Sequence, residues 1–153
     1  LNHGSTFTIY LPRHNAKTSP KPERTPISTS AAHGETILLV EDETIILKSV
    51  TQMLKELGYT MLSAATPGEA IQLAKEYSGK IDLLMTDVIM PEMNGRDLAS
   101  TLIATYPAIK LFFMSGYTSD IIAQHGVLDE GVHFIQKPFS KALLAAKISE
   151  VLK

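Results

Sequence analysis

Four apolar runs in this 153-residue chain stop abruptly on groups that could do chemistry. Thr36-Ile37-Leu38-Leu39-Val40 ends on Glu41-Asp42, and Ile81 to Thr86 ends on Asp87. Ile109 to Met114 ends on Ser115, and Val132 to Gln136 ends on Lys137. Three carboxylates drawn together raise one another's pKa unless a cation joins them. Their all-oxygen set suits a hard divalent ion. Mg2+ fits best, because it takes few protein ligands, keeps waters and completes its shell with phosphate oxygens. Lys137 is a point charge suited to a phosphoryl oxygen, and the Ser115 hydroxyl can donate to another. Asp87 is the carboxylate best placed to attack phosphorus and carry it as an acyl phosphate. Catalysis would then come from in-line positioning and charge neutralisation.

For these groups to meet, the runs that carry them must lie side by side. Each run is short enough for a buried strand, and helical spacing separates most of them. Residues 43–57 place Ile46, Val50, Leu54 and Leu57 on one face, with Gly58 as the C-cap. Thr60 to Ala65 reads as a second strand, and Pro67 opens a helix to about Tyr77. After the Asp87 strand, Pro91 and Gly95 punctuate a loop before a helix from Arg96 to about Tyr106. A short helix is expected around Asp120 to His125, and Ser140 caps a last helix with Leu143, Leu144, Ile148 and Val151 as core candidates. Alternation of this kind predicts an α/β fold, a doubly wound five-stranded parallel sheet with helices on both faces. Right-handed crossovers put every strand C-terminus on one rim, where open α/β sheets bind their ligands.

The rest of the chain is plainer. Hydrophobic residues make up 44% and charged residues 20%, as in ordinary globular domains. A net charge of −2 argues against bulk electrostatic binding to nucleic acid or an acidic membrane. No apolar run reaches the roughly 18 residues that span a bilayer. Cysteine is absent, which excludes disulfides and thiolate metal sites and fits a cytoplasmic location. The chain opens at Leu1 without a signal-peptide pattern, as a piece of something longer would. Residues 5–11 alternate and are rich in β-formers, so they predict a strand. Residues 13–34 hold Pro20, Pro22 and Pro26 among polar residues and predict a flexible linker. Asp82 and Asp97 read as a strand start and a solvated helix face, and His125 and His133 as turn residues.

Residues 35–153 resemble a response-regulator receiver domain of two-component signalling. The motifs that carry the resemblance are Glu41-Asp42, the stretch Met85-Thr86-Asp87-Val88-Ile89-Met90-Pro91-Glu92-Met93-Asn94-Gly95, Met114-Ser115-Gly116-Tyr117 and Lys137-Pro138-Phe139. The resemblance implies a flavodoxin-like strand order, 2-1-3-4-5, and an Asp87 that accepts phosphorus from a phosphohistidine. It implies that Asp42, Asp87 and the Ile89 backbone carbonyl bind Mg2+ directly, that Glu41 does so through water, and that the Lys137-Pro138 bond is cis. Glu41 departs from the commoner Asp by one methylene.

The resemblance also makes Ser115 and Phe134 a switch pair, although Phe134 reads equally as core packing. Ile45, on the first helix beside the acidic rim, is either an isolated exposed apolar residue or a contact for the histidine-bearing partner. Ile89 and Tyr117 either line the rim or restrict the attacking water. Gly4 to Pro12 resembles the last strand of the ATP-binding domain of sensor histidine kinases. The expected layout is therefore a kinase-domain ending at 1–12, a linker at 13–34 and a receiver at 35–153, cut from a hybrid sensor kinase whose other parts could hold a membrane anchor. Such a chain would work as a monomer or weak dimer and catalyse at most its own phosphorylation and dephosphorylation. Two readings compete: a degenerate receiver used only for docking, and an Asp-nucleophile phosphatase. The phosphatase needs a second acid where Ile89 stands. The stretch 126–131 has no functional reading.

Overall fold

Strands buried on both faces need apolar side chains on both faces, and Thr36–Val40 and Leu83–Asp87 meet that demand almost without interruption. In the computed structural model, which describes residues 4–5, 7–10, 34–116 and 132–153, these two strands lie side by side inside one sheet. The described elements run β1 (Thr36–Val40), α1 (Thr44–Glu56), β2 (Thr60–Ala64), α2 (Pro67–Glu76), β3 (Leu83–Asp87), α3 (Gly95–Thr105), β4 (Lys110–Ser115), β5 (Phe134–Gln136) and α4 (Lys141–Leu152). Every strand pairing is parallel and the order is β2-β1-β3-β4-β5, as expected. The expected helix at 120–125, Tyr117, His125, the stretch 126–131 and nearly all of the linker lie outside the described residues.

Alternate side chains of each strand feed two cores. Ile37, Leu39, Leu83, Met85, Phe112 and Met114 pack with Val50 and Leu54 of α1 and with Leu144, Ile148 and Val151 of α4. Leu38, Val40, Leu84 and Phe113 pack with Ala70 and Ala74 of α2 and with Leu98, Ala99 and Leu102 of α3. Each fully buried Leu or Ile contributes about 1.5–3 kcal/mol of transfer free energy. Such packing pins the register, because a one-residue slip would turn every apolar side chain to the wrong face.

Helix ends are set by local chemistry. Gly58, at φ +95°, follows the last turn of α1, and its N–H donates to the Lys55 carbonyl at 3.0 Å. Thr66 Oγ1 accepts from the Glu69 N–H at the start of α2, with Pro67 in the first helical turn. Asn94 does the same for Asp97 in α3, and Ser140 for Leu143 in α4.

Several boundaries differ from the sequence reading, β4 among them, which runs Lys110–Ser115 rather than Ile109–Met114. β3 begins at Leu83 rather than Ile81, because the Asp82 carboxylate turns to accept the Thr36 N–H at 2.9 Å. β5 is shorter than expected, Phe134–Gln136. The strand expected at 5–11 does not form among its described residues. Phe7, Ile9 and Tyr10 stand exposed, since a single strand has no neighbour to complete its hydrogen bonds. Among the described residues no helix is long and apolar enough to cross a membrane.

Candidate functional site

The parallel sheet delivers the ends of β1, β3, β4 and β5 to one rim. Asp87 is the last residue of β3, paired with Met114 of β4, and is only 8% exposed. Glu41 follows β1 directly, held by its N–H to the Ala64 carbonyl, and is fully buried. Asp42 beside it is exposed. One carboxylate oxygen from each of Glu41, Asp42 and Asp87 lies within 4.8 Å of the others.

Lys137 closes the cluster. Its Nζ donates to Asp87 Oδ2 at 2.7 Å and meets both Glu41 oxygens, at 2.9 and 3.2 Å. The peptide bond to Pro138 is cis. The Lys137 N–H donates to the Ser115 carbonyl at 2.7 Å, which ties the ends of β4 and β5 together. Burial and the nearby Asp87 charge push the Glu41 carboxyl above its usual range, while the Lys137 ammonium draws it back. Burial alone would lower the Lys137 pKa, but hydrogen bonds and attraction from Asp87 and Glu41 outweigh it and raise it. Lys137 is therefore a firmly charged ammonium. Three carboxylates face one ammonium, a net of two negative charges that one divalent cation would neutralise. The donor set is all oxygen and fits such an ion.

The loop after Asp87 is tightly folded. The Gly95 N–H donates to the Val88 carbonyl at 2.9 Å, and a Cβ at Gly95 would lie 2.1 Å from the Asp87 carbonyl oxygen. Only glycine lets the start of α3 come this close to the site strand. Glu92 sits at φ +70° between Pro91 and Met93, whose N–H donates back to the Pro91 carbonyl at 2.8 Å.

The structure thus brings Glu41, Asp42, Asp87 and Lys137 into one cluster, with buried Ser115 attached through its main chain. Ile89, two residues past Asp87, is 58% exposed, and Ile45 is 80% exposed in the first turn of α1. Phe134 is half-buried against the α2–α3 side of the sheet. Asp97 is bonded to Asn94 in the exposed first turn of α3, as expected, whereas Asp82 lies just before β3 rather than starting it, bonded to Thr36 and Lys80. His133 is exposed in the approach to β5. The sequence reading missed Asn94 and Gly95 as a pair that starts α3 against the site. An Asn followed by Gly ahead of a helical stretch was the available signal.

Comparison with known proteins agrees with this geometry. The sequence pattern of the response regulator receiver domain matches residues 37–149. Sensor kinase CckA of Brucella abortus is 36% identical over 160 residues, taking in 100% of this chain, which spans only 17% of that kinase's length. A crystal structure of the receiver domain from hybrid histidine kinase CckA covers 77% of this chain and 99% of its own, at 34% identity and a TM-score of 0.60. Chemotaxis protein CheY4 of Vibrio cholerae gives a TM-score of 0.68 at 27% identity, covering 78% of this chain and 99% of its own. With the sheet order, the acidic rim and these similarities in agreement, the chain belongs to the response regulator receiver domains, the phosphoacceptor modules of two-component signalling.

Proposed function

We propose that Asp87 is the phosphoacceptor and that the donor is a phosphohistidine on a kinase domain or phosphotransfer protein. The observation that carries this is the single ammonium of Lys137, bound to Asp87 Oδ2 inside a cluster of three carboxylates. In the step, an Asp87 oxygen forms a bond to phosphorus as the P–N bond breaks. The electron pair leaves with the imidazole nitrogen, and an acyl phosphate remains on Asp87. Lys137 offsets charge on a phosphoryl oxygen, and the buried Ser115 at the end of β4 is the hydroxyl to meet another.

Asp42, Asp87 and the Ile89 carbonyl are the ligands we assign to Mg2+, with Glu41 acting through a water. When bound, Mg2+ neutralises the excess acid charge and orients phosphoryl oxygens. Phosphorylation adds roughly two negative charges, which would draw Ser115 inward with Phe134 following behind it. Exposed Ile45 is the assigned contact for the donor, and Ile89 and Tyr117 would restrict the attacking water.

We further infer that the chain is the receiver of a hybrid sensor histidine kinase. Residues 1–12 would be the last strand of the preceding ATP-binding domain and 13–34 the linker. Overlap with CckA along the whole chain supports this parentage, and it would place the receiver in the cytoplasm as a monomer or weak dimer that binds neither nucleic acid nor membrane. The phosphatase reading is disfavoured by Ile89, which stands where that chemistry needs an acid.

The deciding experiment exposes wild type and Asp87→Ala to phosphoramidate with Mg2+, and to the phosphorylated parent kinase core, and follows intact mass. Wild type should gain one phosphoryl group and the variant none. Uptake by Asp87→Ala, or none by wild type, would remove the reading.

A further inference from the structure

Glu41 is the one member of the acidic cluster with no exposed surface, and both of its oxygens face Lys137 rather than water. An ammonium has three N–H donors. Here Nζ meets two carboxylates, Glu41 and Asp87, at 2.9 and 2.7 Å. The Lys137 side chain is 13% exposed and Glu41 is wholly enclosed, so this contact is shielded from water and salt in a way that surface pairs are not. The reach depends on side-chain length. An Asp at position 41 would carry its carboxylate about 1.5 Å closer to its own backbone, one carbon–carbon bond short of this contact.

We infer that Glu41 is a positioning residue for Lys137: it anchors the ammonium beside Asp87 before phosphorus arrives, and its reach to a cation, through water, is secondary. This inference rests on Asp87 being the phosphoacceptor. Glu41 and Asp87 share the ammonium, so a swing to Asp87 alone or out to solvent would forfeit two hydrogen bonds to a buried carboxylate. The longer of the two Glu41 contacts, at 3.2 Å, is the one that gives up its donor to an incoming phosphoryl oxygen, and the group that must meet charge in the transition state is already in place. The neighbouring acids thereby divide the work. Asp42 is exposed and so open to a hydrated ion, and enclosed Glu41 faces the lysine.

The test has two parts. In the metal-free wild-type chain, labelled with 15N and 13C, NMR should detect a through-hydrogen-bond coupling from Lys137 Nζ to the Glu41 side-chain carboxyl carbon. Phosphoryl uptake from phosphoramidate is then measured at saturating Mg2+. There Glu41→Ala should be slower by about tenfold or more, as expected when a charged group loses its position. Glu41→Gln, which keeps an acceptor at the same reach, should recover most of the rate. An Asp42→Asn chain should instead need at least tenfold more Mg2+. Absence of the coupling, or a Glu41→Ala deficit that disappears as Mg2+ saturates, would overturn the inference by making Glu41 an ordinary cation anchor. If Glu41→Ala fails to fold, the wild-type coupling alone decides. A chain that shows the coupling but takes up no phosphorus would keep the anchor and lose the phosphoacceptor reading.

Discussion

Single side chains decide how much strain and charge the site carries. Removing Lys137 strands two carboxylates that now share its ammonium, and taking one partner from a mostly buried ion pair costs about 3–5 kcal/mol. Lys137→Ala should therefore lower the urea midpoint sharply in metal-free buffer and recover part of the loss with Mg2+, since an added cation offsets the same charge. Glu92 carries the opposite kind of cost. A non-glycine residue at φ +70° costs about 1–3 kcal/mol, so Glu92→Gly should raise stability by up to about 1 kcal/mol while Glu92→Ala should not; urea midpoints separate the two. Asp82 supplies the acid-side titration. Burial alone would raise its pKa, but hydrogen bonds from Lys80 and the Thr36 N–H outweigh that and lower it below the usual carboxylate range. Its folded pKa is thus below the unfolded one. The stabilisation is fully present above the unfolded value of about 4 and lost as pH falls through the folded one. Asp82→Asn should flatten the fall in stability below about pH 4, as read from urea titrations at successive pH values.

Elements hold these residues in place, and their ends matter as much as their middles. Ser140, Thr66 and Asn94 each satisfy an N–H at a helix start, and replacing any of them with Ala should cost about 1 kcal/mol. The three should nevertheless differ in function. α3 begins against the Asp87 carbonyl, whereas Ser140 starts α4 three residues beyond Lys137. Gly95→Ala should be the severest change of this class, since its Cβ must displace main chain at 2.1 Å rather than a mobile side chain. Overpacking of this sort costs about 1–3 kcal/mol, and phosphoryl uptake should fall further than stability. Core contacts of α1 were legible from helical spacing alone: Val50 and Leu54 are buried, and Ile46 and Leu57 pack at the margin of the same cluster. The start of α3 was less legible, because the demand for glycine at 95 comes from a strand carbonyl eight residues earlier that approaches only after folding.

For the molecule as a whole, the charge at the rim couples ligand binding to stability. A cation that binds only the folded chain should stabilise it by about 2.7 kcal/mol at a hundred times its Kd; thermal melts with and without Mg2+, on wild type and Asp42→Asn, would show a rise in the first and a smaller one in the second. Much of this organisation is legible in the linear pattern of residue types. Apolar runs that end on Glu41-Asp42, Asp87, Ser115 and Lys137, separated by helical spacing, already implied a parallel sheet with reactive groups on one rim, because burial dictates which residue types a strand can hold. The linear pattern did not contain the distances within that rim. Lys137 meets partners 50 and 96 positions away, and whether it touches Asp87 alone, Glu41 alone or both depends on strand order, register and the path of the chain beyond β5. Local preferences are summed along the chain and can be read from it. A shared ammonium depends on where distant strands end in space, and only the packing of both cores sets that.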